Sequence, residues 1–373
     1  MGSFSNNGNI YVNATAGTGY GGDDYYSDVY IENIYGVYLS GGADTFNNSG
    51  LISVQAKVGD SEGYYTWAGI NDIYGVYFGE EVYTFTNSGT ISVTAQAGNA
   101  NGFDDSEAYA EKVYGVYIDG AVDTFTNSGT ISVTAQAGNA NGTDTYAYAE
   151  EVYGVRISGA VDSFVNKGDI KVNVEAGSAI GNNSQVEADY ISGVEIWGPV
   201  NNFLNTGNIL VSVNVGNASG TKSSVTTVYY NPWWDVYTGV YGVYIGNNVN
   251  VINFTNSGNI GVAVNAGSAI GDNSTVISGW AVGVDIGSDD YYGQVVKSFV
   301  NNGTISVSVS AGDAKGTNST VVSFAGDPVW VDYSTVNNFK NTGTIISTGQ
   351  AGSALGNGST VYMTDFGNGF WVR

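Results

Sequence analysis

The sequence predicts an all-β protein, a parallel β-solenoid of about nine 40-residue repeats in one domain over residues 1–373. Three observations predict it. The pattern F-x-N-x-G-x-I occurs nine times, starting at Phe4, Phe46, Phe85, Phe125, Phe164, Phe203, Phe254, Phe299 and Phe339, with 39 or 40 residues between starts in five of eight intervals. A strict period of this length marks stacked repeats, each of which buries its apolar face only against a neighbour. A second fixed segment, Tyr-Gly-Val, recurs at Tyr35, Tyr74, Tyr114, Tyr153 and Tyr241, with weaker versions at Gly193-Val194 and Gly283-Val284. Between them the chain alternates, as in Ile91, Val93, Ala95 and Ala97 against Ser92, Thr94 and Gln96. Period two is the signature of strands, and Thr, Val, Ile and Tyr are abundant where good helix formers are scarce.

The elements of the repeat can be taken in order. Stacking like on like puts Phe46, Phe85, Phe125 and Phe164 in one interior column and Ile52, Ile91, Ile131 and Ile170 in another. The motif asparagines, Asn48, Asn87, Asn127 and Asn166 among them, form a structural ladder beside a corner, where each amide bonds the next and tolerates a left-handed backbone. The 55 glycines are assigned to corners. A single 40-residue coil at about 3.3 Å per residue has a perimeter near 130 Å, too wide to fill with side chains, so the spacing favours two rungs per repeat and a rod on the order of 85 Å. In that arrangement x-G-T-I-S-V lies over Y-G-V-Y-I, and the variable stretch between the Ala-Gly pair and Tyr-Gly-Val is loop.

Composition narrows the function. There are 34 acidic and 10 basic residues, a formal charge of −24, yet only 12% of residues are charged and 42% hydrophobic, which describes an ordered acidic protein. Neutralising phosphates needs stripes of Lys and Arg, so neither nucleic acid nor an acidic membrane surface is an expected partner. No apolar run is long enough to span a bilayer as a helix. Cysteine and histidine are both absent. That removes disulfides, thiolate metal sites and Ser-His-Asp or Cys-His nucleophilic machinery. No basic, apolar leader precedes the first motif, so the sequence reads as a mature or excised form. The last residues, Gly367 to Arg373, read as a degenerate Tyr-Gly-Val strand, and an open rung at either end is a template for head-to-tail assembly.

The phrases Thr86-Asn87-Ser88-Gly89-Thr90-Ile91 and Thr126-Asn127-Ser128-Gly129-Thr130-Ile131, each followed some twenty residues later by Tyr-Gly-Val-Tyr-Ile or a variant, resemble the N-S-G-T-I repeats of bacterial autotransporter passenger domains and related surface adhesins. The resemblance covers essentially the whole chain. It implies a right-handed parallel β-helix outside the cell, used for adhesion or as a stalk. The chain departs from the autotransporter plan in carrying no C-terminal translocator barrel, which leaves room for a filament subunit.

Three groups of residues are candidate sites. Tyr38, Tyr77, Tyr117 and Tyr244 occupy one outward position, a flat aromatic column suited to stacking on sugar rings or on a partner filament; cross-strand tyrosines also stabilise sheets with no ligand. The insertion in the sixth repeat crowds Tyr229, Tyr230, Trp233, Trp234 and Tyr237 beside Pro232, a setting for glycan binding, subunit contact or packing on the flank. Acidic doublets at Asp23-Asp24, Asp104-Asp105 and Asp289-Asp290 offer oxygen ligands for calcium, the one cofactor considered, but they match no calcium-loop motif and solvated loop charge that keeps an acidic rod soluble is the preferred reading. Asp44, Asp123 and Asp162 recur at one repeat position, as a surface ladder does and a unique catalytic site does not, so a polysaccharide-cleaving enzyme is the weaker reading. The expectation is a non-catalytic extracellular or cell-surface structure, an adhesin stalk or filament subunit, partnered by itself or by surface glycans.

Overall fold

The computed structural model describes residues 2–21, 26–227, 230–231, 236–237, 239–246, 249–287, 294–324, 326–331, 334–364 and 369–372. All regular structure among them is β-strand. Four parallel sheets run the length of the molecule, each taking one strand, or one pair of strands, from every repeat in sequence order. Sheet I starts with Gly2–Asn6, Ala43–Asn48 and Val82–Asn87, and sheet II with Asn9–Ala16, Leu51–Val58 and Thr90–Gln96. Sheet III is built from short strands such as Gly19–Tyr20 and Ser61–Gly63, and sheet IV from long ones, Tyr26–Leu39, Tyr65–Phe78 and Ser106–Ile118. The chain is a β-solenoid with eight turns between the first motif phenylalanine and the ninth.

Register shows how much chain makes one turn. Phe46 pairs directly with Phe85, Phe85 with Phe125 and Phe125 with Phe164, and their ring centroids lie 4.6 to 4.8 Å apart. One repeat is therefore one coil, and the two-rung expectation is wrong. The stretch expected to be loop between the Ala-Gly pair and Tyr-Gly-Val is strand, forming sheet III and the first half of sheet IV. At about 4.8 Å per rung, nine coils rise about 43 Å, half the expected rod.

The perimeter argument failed because the coil is not round. Its interior is two separate clusters: a bulky one holding Phe46, Ile52, Val76, Phe78 and Val82, and a thin one holding Val54, Ala56, Ala68, Ile70 and Ala100. Between them sheet IV presses onto sheet II. A β-carbon placed on Gly75, Gly115 or Gly154 would lie 2.6 Å from Cγ2 of Ile91, Ile131 or Ile170 respectively. The glycine of Tyr-Gly-Val is thus a mid-strand waist residue, whereas the motif glycines, such as Gly89 and Gly129, do sit at corners against the coil before. With the waist closed, no part of the interior is wider than two layers of side chains.

The asparagine ladder forms as expected. Each Nδ2 donates to Oδ1 of the next asparagine, from Asn6 through Asn48, Asn87, Asn127, Asn166, Asn205, Asn256 and Asn301 to Asn341, at 2.8 or 2.9 Å. The second amide hydrogen goes to a carbonyl of the following coil, for Asn87 that of Thr130 at 3.2 Å. None of these asparagines is left-handed. Positive φ is found instead at Asn33, Asp72, Lys112, Glu151, Tyr190 and Trp280, and at Asp105, Asp144, Asn183, Lys222, Asn273 and Asn318. The first of these columns bends the strands of sheet IV in their middle, and pairing skips it: Glu32 pairs with Asn71 and Ile34 with Ile73. The long insertion enters at this bend, dividing the sixth sheet IV strand into Ser224–Thr226 and Val240–Ile245.

Candidate binding site

Beyond the bend, Gly36 lies against Ile52 and Val54 while Val37 joins the bulky core, so two consecutive residues face inward. That irregularity puts Tyr35 and Tyr38 on the same outer face, their rings edge to face at 4.8 Å. Two tyrosine columns result. In the first, Tyr35, Tyr74, Tyr114 and Tyr153 stack with centroid spacings of 5.0, 4.8 and 5.2 Å. In the second, Tyr38, Tyr77 and Tyr117 stack at 5.1 and 5.3 Å. Parallel pairing imposes the spacing, because each ring stands one rung above the last. The columns shield each other: Tyr114 and Tyr153 are buried, while Tyr38 at the outer end is 54% exposed. Burial, then the neighbouring Glu195 carboxylate, raises the Tyr153 hydroxyl well above its ordinary range.

Both columns change character at the fourth and fifth coils. The outer one continues from Tyr117 as Arg156 and Glu195 before Tyr244, so the structure brings three of the four expected tyrosines together and separates the fourth. The inner one continues from Tyr153 as Ser192 and then Tyr241. Beside Ser192 lies a pocket of about 260 Å³ lined by Glu151, Tyr153, Arg156, Tyr190, Ser192, Glu195, Trp197, Gly239, Tyr241 and Tyr244, of which Tyr153, Ser192 and Glu195 are buried. Arg156 sits with Cζ 5.0 Å from the Tyr153 centroid and 5.8 Å from that of Tyr117, a cation over two ring faces.

The charges of this site are held close. Arg156 Nε lies 3.3 Å from Glu195 Oε1 and Nη1 lies 3.9 Å from Glu151 Oε2. The Nε contact is an ion pair without hydrogen-bond alignment, so this buried N–H makes no hydrogen bond. Glu195 accepts from Trp197 Nε1 and, at 3.5 Å, from Ser192 Oγ, and the Tyr114 hydroxyl donates to Glu151 at 2.8 Å. Burial pushes the Glu195 carboxyl up to about 7, outweighing the opposing pull of Arg156. Burial also works against charge on Arg156, but Glu195 and the surrounding tyrosines hold its pKa above the usual value. The site therefore is an aromatic-lined pocket against which an arginine and a buried carboxyl, raised by that burial, are held together.

The other expected residues fall elsewhere. Tyr229, Trp233 and Trp234 lie outside the described residues; Tyr230 and Tyr237 pair across a two-stranded antiparallel hairpin, Tyr230–Asn231 with Val236–Tyr237. Asp23, Asp24, Asp289 and Asp290 are likewise outside them. Asp104 ends a sheet III strand and Asp105 takes the left-handed corner that follows, and no group of three or more acidic side chains able to hold a metal ion forms among the described residues. Sequence reasoning missed Ser192, Arg156, Glu195 and Trp197. The signal was present: Tyr-Gly-Val becomes Ser192-Gly193-Val194 in this one coil, bracketed by Tyr153 and Tyr241. Compared with family models, with curated proteins and with solved structures, the chain gives no match.

Proposed function

We propose that this chain is an extracellular structural and adhesive solenoid without catalysis, akin to autotransporter passenger domains and surface adhesins, that meets its partner through the aromatic outer face of sheet IV. One observation carries the reading: the phenylalanine and asparagine ladders pass unbroken through all nine repeats, while the outer face of sheet IV changes from tyrosine to charged and small residues along the stack. A chain so built devotes its interior to holding a shape and leaves one face to carry contacts. Exposed tyrosines such as Tyr26, Tyr30 and Tyr38 on that face, with Asp28 and Glu32 between them, offer a surface for sugars or for a second molecule. The test is retention of chain-coated beads on immobilised polysaccharide and on a chain-coated surface, with a Tyr38→Thr, Tyr77→Thr, Tyr117→Thr variant beside the wild type. The expected outcome is a retention at least tenfold lower for the variant; equal retention for coated and bare beads overturns the reading.

Head-to-tail assembly is the second reading, favoured by the last coil, where Phe339 is 37% exposed and Asn341 accepts from Asn301 while its own amide is exposed. A second copy docking its Asn6 there would continue the asparagine ladder, whereas Phe339 already stacks with Phe370 of the same chain. Electron microscopy of the purified chain tests this: fibres with an axial repeat of about 43 Å, nine rungs, support it, and discrete particles at high concentration count against it.

A further inference from the structure

We propose that the outer face of sheet II is an interface at which two copies of this chain pair face to face about a twofold axis. The argument begins with charge. The strands of sheet II carry Lys57 and Lys171 against Asp169 and Glu175, and so have no net charge. The first five strands of sheet IV, from Tyr26–Leu39 to Gln185–Ile196, carry ten acidic residues against Lys112 and Arg156. In a chain of formal charge −24, a second copy therefore meets repulsion on sheet IV and none on sheet II. Sheet I is also close to neutral, with Asp44, Asp123 and Asp162 against Lys297 and Lys340, but its strands are mostly six residues or shorter where those of sheet II are seven or eight.

Shape supplies the twofold. One outward column of sheet II runs Tyr11, Ser53, Ser92, Ser132, Lys171, Leu210, Gly261, Ser306 and Ile346, one residue per coil. Around Ser92 and Ser132, with Thr94 and Thr134 beside them, the face carries only small side chains. Tyr11, 61% exposed, is a knob in the first coil. In the seventh coil Gly261 and Ala263 leave a shallow groove of about 390 Å³ between Leu210 and Ile346. The first and seventh coils are equally far from the fourth, so a twofold axis through the fourth, near Ser132 and Thr134, sets each Tyr11 in the other copy's groove. The seven coils shared in this overlap rise about 34 Å, and seven residues of strand span about 23 Å. Each copy then covers about 800 Å², the usual share of one partner in a stable complex. Sheet II lies on the opposite side of the flattened coil from sheet IV, so the pair turns both tyrosine faces outward. The pairing goes beyond the adhesive reading: it exists whether or not sheet IV adheres, and where sheet IV does adhere it makes the unit bivalent.

The experiment is sedimentation equilibrium of the full chain at physiological salt, over a concentration series reaching about 100 µM. The expected result is a two-chain species. Ser132→Arg, which sets a long cation beside Lys171 and opposite its own copy, should raise the dissociation constant at least tenfold. Tyr11→Thr, which removes the knob, should raise it at least fivefold. The Tyr38→Thr, Tyr77→Thr, Tyr117→Thr variant, altered on the opposite face, should pair like the wild type. If Ser132→Arg folds poorly, cross-linking serves in its place. The chain has no cysteine, so Ser132→Cys supplies a single thiol near the axis, and a short bismaleimide should join two copies through it. Thr348→Cys, in the ninth coil beyond the overlap, should not join them. Four outcomes overturn the proposal: a single chain at every concentration, pairing that survives both Ser132→Arg and Tyr11→Thr, cross-linking through position 348 as readily as through 132, or fibres without cross-linking of the Ser132→Cys chain. None of these readouts depends on bead retention, so the two readings separate.

Discussion

At the scale of single residues the repeat makes unusually specific demands. Asn127 donates to Asn166 Oδ1 and to the Asp169 carbonyl and accepts from Asn87, all in a buried column. Replacing it with Ala leaves a donor and acceptors without partners on both sides, at about 1–3 kcal/mol for each buried group, so Asn127→Ala should cost on the order of 3 kcal/mol in urea unfolding. Asn7, an exposed asparagine of the first coil whose Oδ1 accepts from the Ser49 hydroxyl in solvent, should change stability by less than about 0.5 kcal/mol when made Ala. Gly115 is a sharper probe of the waist. A methyl there meets Gly154 O at 2.5 Å and Ile131 Cγ2 at 2.6 Å, and neither the backbone nor a close-packed isoleucine can yield far. Gly115→Ala should cost about 1–3 kcal/mol although alanine is ordinarily better tolerated in a strand than glycine, and Gly115→Ala with Ile131→Val should recover part of that cost. If the single change is neutral in thermal unfolding, sheets II and IV do not touch as described.

At the scale of elements, much was legible in the sequence and the missing part has a physical cause. Period-two alternation located the strands of sheet II but not those of sheet III or the first half of sheet IV, and identical motifs located the Phe, Ile and Asn columns, because a parallel stack forces like onto like. The number of coils per repeat was not legible, since it depends on cross-section, and cross-section was set by one glycine column whose role, close approach, looks in sequence like a corner. Of the expected outer column Tyr38, Tyr77 and Tyr117 stack and Tyr244 stands apart, and the pocket beside Ser192 was not legible, because its signal is a side chain absent between Tyr153 and Tyr241. The insertion can be tested as an element. In the neighbouring coil only Asp189 and Tyr190, the latter left-handed, join the residue beside Thr227 to the partner of Val240. Replacing residues 228–239 with Asp-Gly should therefore reconnect Thr227 to Val240 with a residue suited to positive φ and restore a near-40-residue coil. The expected melting temperature is within a few degrees of the wild type; a loss above about 10 °C would show that the insertion supports the stack.

At the scale of the whole molecule, shape and charge act together. A stack about 43 Å high is close to the contour length of one of its longest strands, about 46 Å for the fourteen residues of Tyr26–Leu39, which bends at Asn33. The molecule is a block and not a slender rod, and it carries its −24 charge in a small volume. Self-repulsion already favours mild acid. Two glutamates add to this: burial pushes Glu195 up to about 7, and burial followed by the nearby Glu150 carboxylate does the same for Glu187. Both folded values stand above the ordinary 4.5, so the fold holds their protons while the unfolded chain has released them. Stability from this source is complete below about pH 4.5 and is lost as pH rises to 7, with an upper bound of about 3 kcal/mol for each group. Asp169 and Asp313, lowered by hydrogen bonds from Asn208 and from the Ser353 amide, work in the opposite direction, but only below the ordinary carboxylate range. Thermal melting between pH 5 and 8 in 150 mM salt should therefore show a midpoint falling as pH rises. Glu195→Gln and Glu187→Gln, which fix the neutral form, should each flatten that slope, and the double variant should flatten it most. Salt separates the two causes, because raising it screens the diffuse charge while leaving the buried carboxyls in place. A midpoint independent of pH at high salt, in wild type and double variant alike, would mean that both carboxyls titrate like exposed ones and that water reaches them on the outer face of sheet IV.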